Sequence, residues 1–371
     1  MKKPPDKISE PHQLIGEEEQ ITKQFSYRRI IIIAIVAFVV SGYLIYNSLN
    51  YEALKGLQWT LQSFFWILLA FILLVIRHLG YMYRLRLITD NKFTWKKSFS
   101  LISLWEFSSA ITPSTVGGAA VAIYFMRKEK LSLGKSAATS MLTIFLDQIF
   151  LAVVPLILLL IVGFKSMFAK DAMCRAEANL PGMGIFHNMQ GIYFGGYFFF
   201  LLIILLLAYG LFINAKAFKT FLIKIFSLPG LRKWKNDAIH TGDDVMLASA
   251  ELKNKDKYFW IKAFTATSVS WISFFMISSC IVMAFFEPAI RDVPIILARQ
   301  FPIWMVMLLP ITPGGIGIAE IAYSALMCDF IDPELVGTFS VVWRAISYYP
   351  YLIAGVIILP RWVNRVYSKS K

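Results

Sequence analysis

The chain has 371 residues, 57% of them hydrophobic and only 16% charged, with a mean hydropathy of +0.61 and a formal net charge of +14. A soluble core of this size does not need so many uninterrupted apolar runs, so the composition excludes a soluble globular protein and points to an integral membrane protein. Lysine and arginine cluster beside the ends of the apolar runs, so the positive balance reads as orientation charge facing anionic lipid, and no nucleic-acid partner is expected.

In chain order, a polar arm over 1–28 leads into a single transmembrane domain over 29–360, and a short basic tail follows over 361–371. No small-residue cleavage site follows the first apolar run, so it reads as a retained helix rather than a signal peptide. Runs of about 20 apolar residues fit a hydrocarbon core roughly 30 Å thick. They lie near 29–47, 58–76, 136–163, 191–213, 258–286 and 334–360. The loop 214–257 holds nine Lys/Arg and is polar enough for one or two amphipathic helices on the cytoplasmic surface. The three cysteines, Cys174, Cys280 and Cys328, lack CxxC or Cys/His spacing. Neither a metal site nor a disulfide framework is indicated, and no cofactor is expected.

Two further apolar stretches, 98–126 and 295–330, carry a phrase written twice. Residues 111–122 read Ile-Thr-Pro-Ser-Thr-Val-Gly-Gly-Ala-Ala-Val-Ala, and residues 311–322 read Ile-Thr-Pro-Gly-Gly-Ile-Gly-Ile-Ala-Glu-Ile-Ala. Thr-Pro and glycine cut each stretch into halves of about 11–17 residues, too short to cross a bilayer singly. Each therefore reads as a re-entrant helical hairpin, with an ordinary kinked pair of spans as the alternative. Non-helical backbone at membrane depth must be buried in protein or line a watery cavity. Basic residues in the arm, in 77–97, 127–135 and 214–257, and in the tail belong on the cytoplasmic side. That bias predicts N-in and C-in ends, with the first hairpin dipping from inside and the second from outside. The fold class expected is an all-α polytopic membrane protein with about six spanning helices, two oppositely oriented hairpins and inverted repeat units at about 58–163 and 258–360. Paired breaks in inverted halves point to a transport site near the midplane.

A helix that restarts after a Gly-rich break presents free N–H groups and a positive dipole end, suited to an anion. The candidates are Thr112, Ser114, Thr115, Gly117 and Gly118 in the first copy and Thr312, Gly314, Gly315 and Gly317 in the second. Those glycines equally suit tight packing of the hairpin arms. Ionisable residues inside apolar runs are costly and default to function. Glu106, Asp147, Arg299, Glu320 and Arg344 are the deep ones, with Tyr348 close to Arg344. Asp147 is the natural counter-ion for Arg299 or Arg344. A structural ion pair joining the halves and a substrate contact both remain open for this set. Arg84 and Arg86, in the aromatic-rich stretch 77–86, suit either a lipid phosphate or plain interfacial snorkelling. No acid sits beside a nucleophile or a metal-ligand set, so no catalytic residue is assigned. Gly191-x-x-x-Gly195 has the spacing for close helix approach and leaves a homodimer possible.

Taken together, these strings resemble a family. Arg84-Leu-Arg86, Thr112-Pro113 with Gly117-Gly118, Ala137 to Asp147, Thr312-Pro313-Gly314-Gly315-Ile316-Gly317 with Glu320, and Arg344 with Tyr348-Tyr349-Pro350 and Gly355 are similar to the bacterial flippase-like family. That family includes the membrane half of lysylphosphatidylglycerol synthase, the multiple peptide resistance factor. The resemblance spans nearly all of 30–360. It implies an inner-membrane protein that moves a lipid with an aminoacylated or glycosylated head, or another anionic lipid, between leaflets. Synthase activity does not carry over, because no soluble domain is legible in the chain. Two other classes stay open on the residues: a membrane-embedded enzyme or accessory subunit acting on a lipid-linked sugar, and a small-solute transporter.

Overall fold

The apolar runs fold as helices, and the computed structural model describes residues 55–112, 115–168, 189–228, 232, 235–253, 255–307 and 312–367. The expected span 29–47 lies outside the described residues. The principal helices are α1 (Leu61–Ile88), α2 (Trp95–Ile111), α3 (Thr115–Lys128), α4 (Leu133–Val162), α5 (Met189–Ala208), α6 (Ala215–Ile225), α7 (Lys235–Leu252), α8 (Lys257–Phe285), α9 (Val293–Met307), α10 (Ile318–Met327), α11 (Pro333–Ser347) and α12 (Tyr349–Tyr367). There is no strand among the described residues. Among the described residues, five helical stretches are long and apolar enough to cross a membrane: Leu61–Ile88, Leu133–Val162, Tyr193–Ile213, Lys257–Phe285 and Pro333–Val366. The protein is therefore multi-pass.

Local chemistry sets the helix starts. Thr60, Thr94, Ser132 and Asp256 each accept a backbone N–H of the first turn of α1, α2, α4 and α8, satisfying donors that the helix itself leaves free. α1 runs twelve residues beyond the 58–76 expected from sequence. Arg77 and Arg84 end the apolar run on paper, yet both are buried and paired, so the helix has no reason to stop there. The 334–360 stretch is two helices rather than one, with Tyr348 (φ −124°, ψ −51°) between α11 and α12. α5 widens into a π-helical turn, Tyr209–Ile213, before Asn214 caps α6.

α8 is the central post: 67% of its apolar window is buried, against 17% for α1. The outer faces of α1, α4 and α5 carry exposed Leu61, Phe65, Leu68, Leu160, Phe198 and Leu205. A water-soluble monomer would not leave such apolar faces bare, and here lipid covers them. α2 and α3 form a hairpin whose open ends meet, since Lys97 Nζ lies 3.0 Å from Glu129. Gly118 makes the arms close, because a Cβ there would sit 2.0 Å from Ser109 Oγ. α9 and α10 make a second hairpin, closed by Arg299 on the Leu326 carbonyl (2.7 Å) and Asp329 (2.5 Å). One apolar core packs the first hairpin on α1 and α12, and another packs the second hairpin on α8 and α11. α6 and α7 close a third core against α4 and α8. On that side, Asp90 joins Lys135 and Lys255, each at 2.6 Å.

Candidate functional site

The two copies of the repeated phrase meet. In the second copy the chain turns through Pro313–Gly315 and then Gly317, with φ of +60° at Gly314, +68° at Gly315 and +84° at Gly317. Residues with a side chain adopt that left-handed region at a cost, so glycine is favoured at all three. α10 restarts at Ile318, and Glu320 reaches back so that its Oε2 accepts the Gly317 N–H at 2.7 Å, half of a capping box. In the first copy α2 ends at Ile111, and Thr112 turns extended (φ −95°, ψ 143°) with its hydroxyl on the Ser108 carbonyl. Gly314 lies directly against that end, because a Cβ there would come within 2.5 Å of the Ala110 carbonyl oxygen.

Arg344, on α11 and 2% exposed, organises the junction. Its Nε donates to Glu320 Oε1 at 3.2 Å, and its Nη2 donates to the Gly314 carbonyl at 2.6 Å. Its guanidinium stacks 4.0 Å from the centre of the Tyr348 ring, and the Tyr348 hydroxyl donates to the Ala110 carbonyl at 3.0 Å. One arginine thus holds both breaks through a carboxylate, a carbonyl and a ring. Across from it, Arg77 of α1 donates to Glu106 of α2 at 2.8 Å. Arg77 also lies over the rings of Phe274 (4.6 Å) and Tyr351 (5.0 Å).

Between these groups is a cavity of about 120 Å³, lined by both breaks, Arg77, Glu106, Trp304, Arg344, Tyr348 and Tyr351. That is below the roughly 300–1,000 Å³ of drug-sized ligand pockets, a size for a compact polar group. Both arginines are paired, Arg77 with Glu106 in the lining and Arg344 with Glu320 behind it, so the formal charges balance and the lining offers guanidinium donors. Trp304 Nε1 and Thr312 Oγ1 are buried with no hydrogen-bond partner. An orphaned buried donor costs about 1–3 kcal/mol, so each calls for a water or a polar ligand group to accept from it. These donors suit a small polar acceptor such as a phosphate oxygen.

The family model described as lysylphosphatidylglycerol synthase TM region matches residues 30–355. The chain belongs to that family. The matched region runs through every residue of the cavity. The chain is also similar to a protein called UPF0104 membrane protein from Archaeoglobus fulgidus, at 22% identity over 335 residues, covering 88% of this chain and 92% of the relative.

In this family member the expected residues separate into groups. Thr112, Thr312, Gly314, Gly315, Glu106, Arg344 and Tyr348 line the cavity, and Gly317 and Glu320 stand directly behind Arg344. Thr115, Gly117 and Gly118 fall in the first turns of α3, where Gly118 serves the hairpin contact. Ser114 lies outside the described residues. Asp147 is not the counter-ion of Arg299 or Arg344. It accepts from Arg84 at 2.5 Å and from Trp271 Nε1 at 2.8 Å, and Arg84 also donates to Thr267 at 2.8 Å. That cluster ties α1, α4 and α8 together away from the cavity lining, because Arg84 lies on the same face of α1 as Arg77 and two turns further on. Arg299 is also elsewhere, its donors spent on Ser166, Phe168, Leu326 and Asp329. Arg86 sits over the Trp95 ring at 4.6 Å, outside the cavity. Arg77, Trp304 and Tyr351 were not singled out as site residues from sequence. Arg77 did carry a signal, because Arg77, Tyr81 and Arg84 share one helical face at i, i+4 and i+7.

Proposed function

We propose that this protein is a flippase-like lipid transporter that passes the head of a phospholipid or glycolipid through the junction of its two helix breaks. The observation that supports this reading most is the small cavity between the breaks, lined by two arginines and by donors without a partner in the protein. Membership of a family named for a lipid synthase's membrane region adds to it. In this reading the hairpins α2–α3 and α9–α10 are re-entrant from opposite sides and the halves are inverted, so one site faces either leaflet in turn. Both chain ends lie in the cytoplasm and the membrane is the cytoplasmic one. Arg77 and Arg344 hold the phosphate, Trp304 and Thr312 donate to its remaining oxygens, and the acyl chains stay in lipid. An embedded hydrolase would need a free acid, and the carboxylates of Glu106 and Glu320 are each bound to an arginine.

Reconstituted vesicles carrying leaflet-specific labelled lipids test this. Wild type is expected to speed transbilayer movement of at least one lipid in a panel of phospholipids, aminoacylated lipids and glycolipids. A charge-assisted hydrogen bond contributes about 1.5–3 kcal/mol, so Arg77→Gln is expected to slow that movement by roughly tenfold or more. Wild-type vesicles indistinguishable from empty ones over the whole panel would refute the proposal. So would an Arg77→Gln protein that folds and transports at the wild-type rate.

A further inference from the structure

A second recess lies outside the bundle, between α1 and α8. The two helices run antiparallel, since the Ser63 hydroxyl donates to the Ala284 carbonyl at one end (2.7 Å) and the Ser270 hydroxyl donates to the Arg77 carbonyl further along (3.2 Å). Gly80 is what lets them approach there. A Cβ at that position would sit 2.3 Å from Ser270 Oγ and 3.2 Å from the Ala266 carbonyl oxygen. Gly80 also lines a groove on the lipid-facing surface between the two helices, about 480 Å³ in volume.

The groove has a direction. At its deep end the walls are Ile76 from α1 and Val269 from α8, and at its other end are Tyr83, Trp95 and Lys262. Ile76 to Tyr83 spans seven residues of α1, or roughly 10 Å of helix. Lys262 is the one cation among the lining residues, and Arg86 adds a second charge on the Trp95 ring. Exposed Trp and Tyr beside Lys and Arg mark a membrane–water interface. An apolar trough that ends in aromatic rings and two cations matches an amphipathic molecule with a hydrocarbon tail and an anionic head. α5 offers the contrast within the same molecule. Its outer face is equally apolar, with Phe198, Phe199, Leu202 and Leu205 exposed, and the whole helix carries no lysine or arginine.

We propose that this groove seats one anionic phospholipid of the adjacent leaflet, an acyl chain lying over Gly80 and the phosphate at Lys262 and Arg86. It is distinct from the cavity between the breaks: α1 carries the lipid seat on one face and aims Arg77 into the cavity from another. The seat needs only that the protein resides in a membrane, so it stands or falls apart from transport.

Photo-crosslinking decides it. The full chain is placed in lipid nanodiscs containing phosphatidylglycerol or phosphatidylcholine with a photoactivatable acyl chain, and adducts are mapped by peptide mass spectrometry. Adducts are expected on 76–83 and 261–269 well above those on 198–205, with phosphatidylglycerol favoured over phosphatidylcholine. Lys262→Glu is expected to cut that preference by at least about fivefold, since losing one basic side chain at an anionic surface accounts for that much and the added carboxylate repels the head further. Val269→Trp fills the trough and is expected to abolish the groove adducts while those on 198–205 persist, which also shows that the variant is folded. Equal labelling of the groove and α5 would overturn the proposal. So would an unchanged headgroup preference in Lys262→Glu, or protein–protein adducts covering the groove in place of lipid.

Discussion

Arg344 and Glu320 should be energetically coupled, and the size of the coupling follows from their surroundings. The arginine side chain is 2% exposed and the glutamate side chain 11% exposed, so neither charge can recover hydration if its partner is lost. Arg344→Met strands the Glu320 carboxylate, and breaking a buried pair from one side costs about 3–5 kcal/mol. Glu320→Gln is milder. Arg344 keeps the Gly314 carbonyl and the amide oxygen can still accept the Gly317 N–H, but the amide NH2 then faces the Arg344 Nε donor and the buried cation loses its counter-ion, so the loss lies near the lower end of the same range, about 3 kcal/mol. The double variant removes both charges together and should lose less than the sum of the singles by about 1–3 kcal/mol. Glu320→Ala removes the helix cap as well and should cost about 1 kcal/mol more than Glu320→Gln. Reversible unfolding in mixed micelles, followed by tryptophan fluorescence, measures all four. Losses that add to within about 0.5 kcal/mol would show that the two side chains do not form a buried pair, and the argument for the junction would fail with them.

Two further outcomes follow from packing and titration. Gly355 of α12 rests on Phe107 of α2, and a Cβ there would lie 2.0 Å from the Phe107 ring, so Gly355→Ala should destabilise by about 1–3 kcal/mol. Shrinking the ring with Phe107→Leu in that background should recover part of the loss, and a fully stable single variant would sink the packing argument. On α7, outside the spanning helices, the Asp244 carboxyl is pushed up to about 6, chiefly by burial, with His240 opposing and Asp243 adding. The folded state then binds that proton more tightly than the unfolded one. The stabilisation is complete below about pH 4 and is lost as pH rises through about 6. Asp244→Asn should flatten that fall and add up to about 3 kcal/mol at neutral pH, read as thermal unfolding at about pH 4.5 and about pH 7.5. A pH slope unchanged in the variant would assign the titration to another group.

The helices were legible in the sequence because apolar length and capping residues are local signals. Ser132 before α4 and Asp256 before α8 mark their starts, and the Thr-Pro and glycine positions mark both breaks. The break between α11 and α12 had a local signal too, since Pro350 sits in the first turn of α12, where proline suits a helix start. The apolar run on both sides hid it. Partner choice was not legible. Asp147 could have met any arginine in the bundle, and only the antiparallel packing of α1 on α8, with α4 alongside, brings Arg84 to it.

The repeated phrase shows why pairing matters more than position. By its spacing, Glu320 stands where the first copy has Ala120, Arg344 where α4 has Ile144, and Glu106 where the second hairpin has Val306. Read along the chain, the charges are therefore unmatched, and Glu320 looks like a lone departure from the repeat. In space each half brings one arginine and one glutamate to the cavity region: Arg77 with Glu106, and Arg344 with Glu320. The first pair uses the helix before its hairpin and the second uses the helix after it. A headgroup held between them would meet similar charge on both walls but different backbone, with the Gly314 carbonyl committed to one arginine only. Arg77 has no such backbone acceptor among its hydrogen bonds and lies over aromatic rings instead, so it is the freer of the two to follow a moving anion. Both Arg77→Gln and Arg344→Gln should lower stability, because each leaves a buried glutamate without its partner, and on that argument Arg77→Gln should slow transport by more than its loss of stability accounts for.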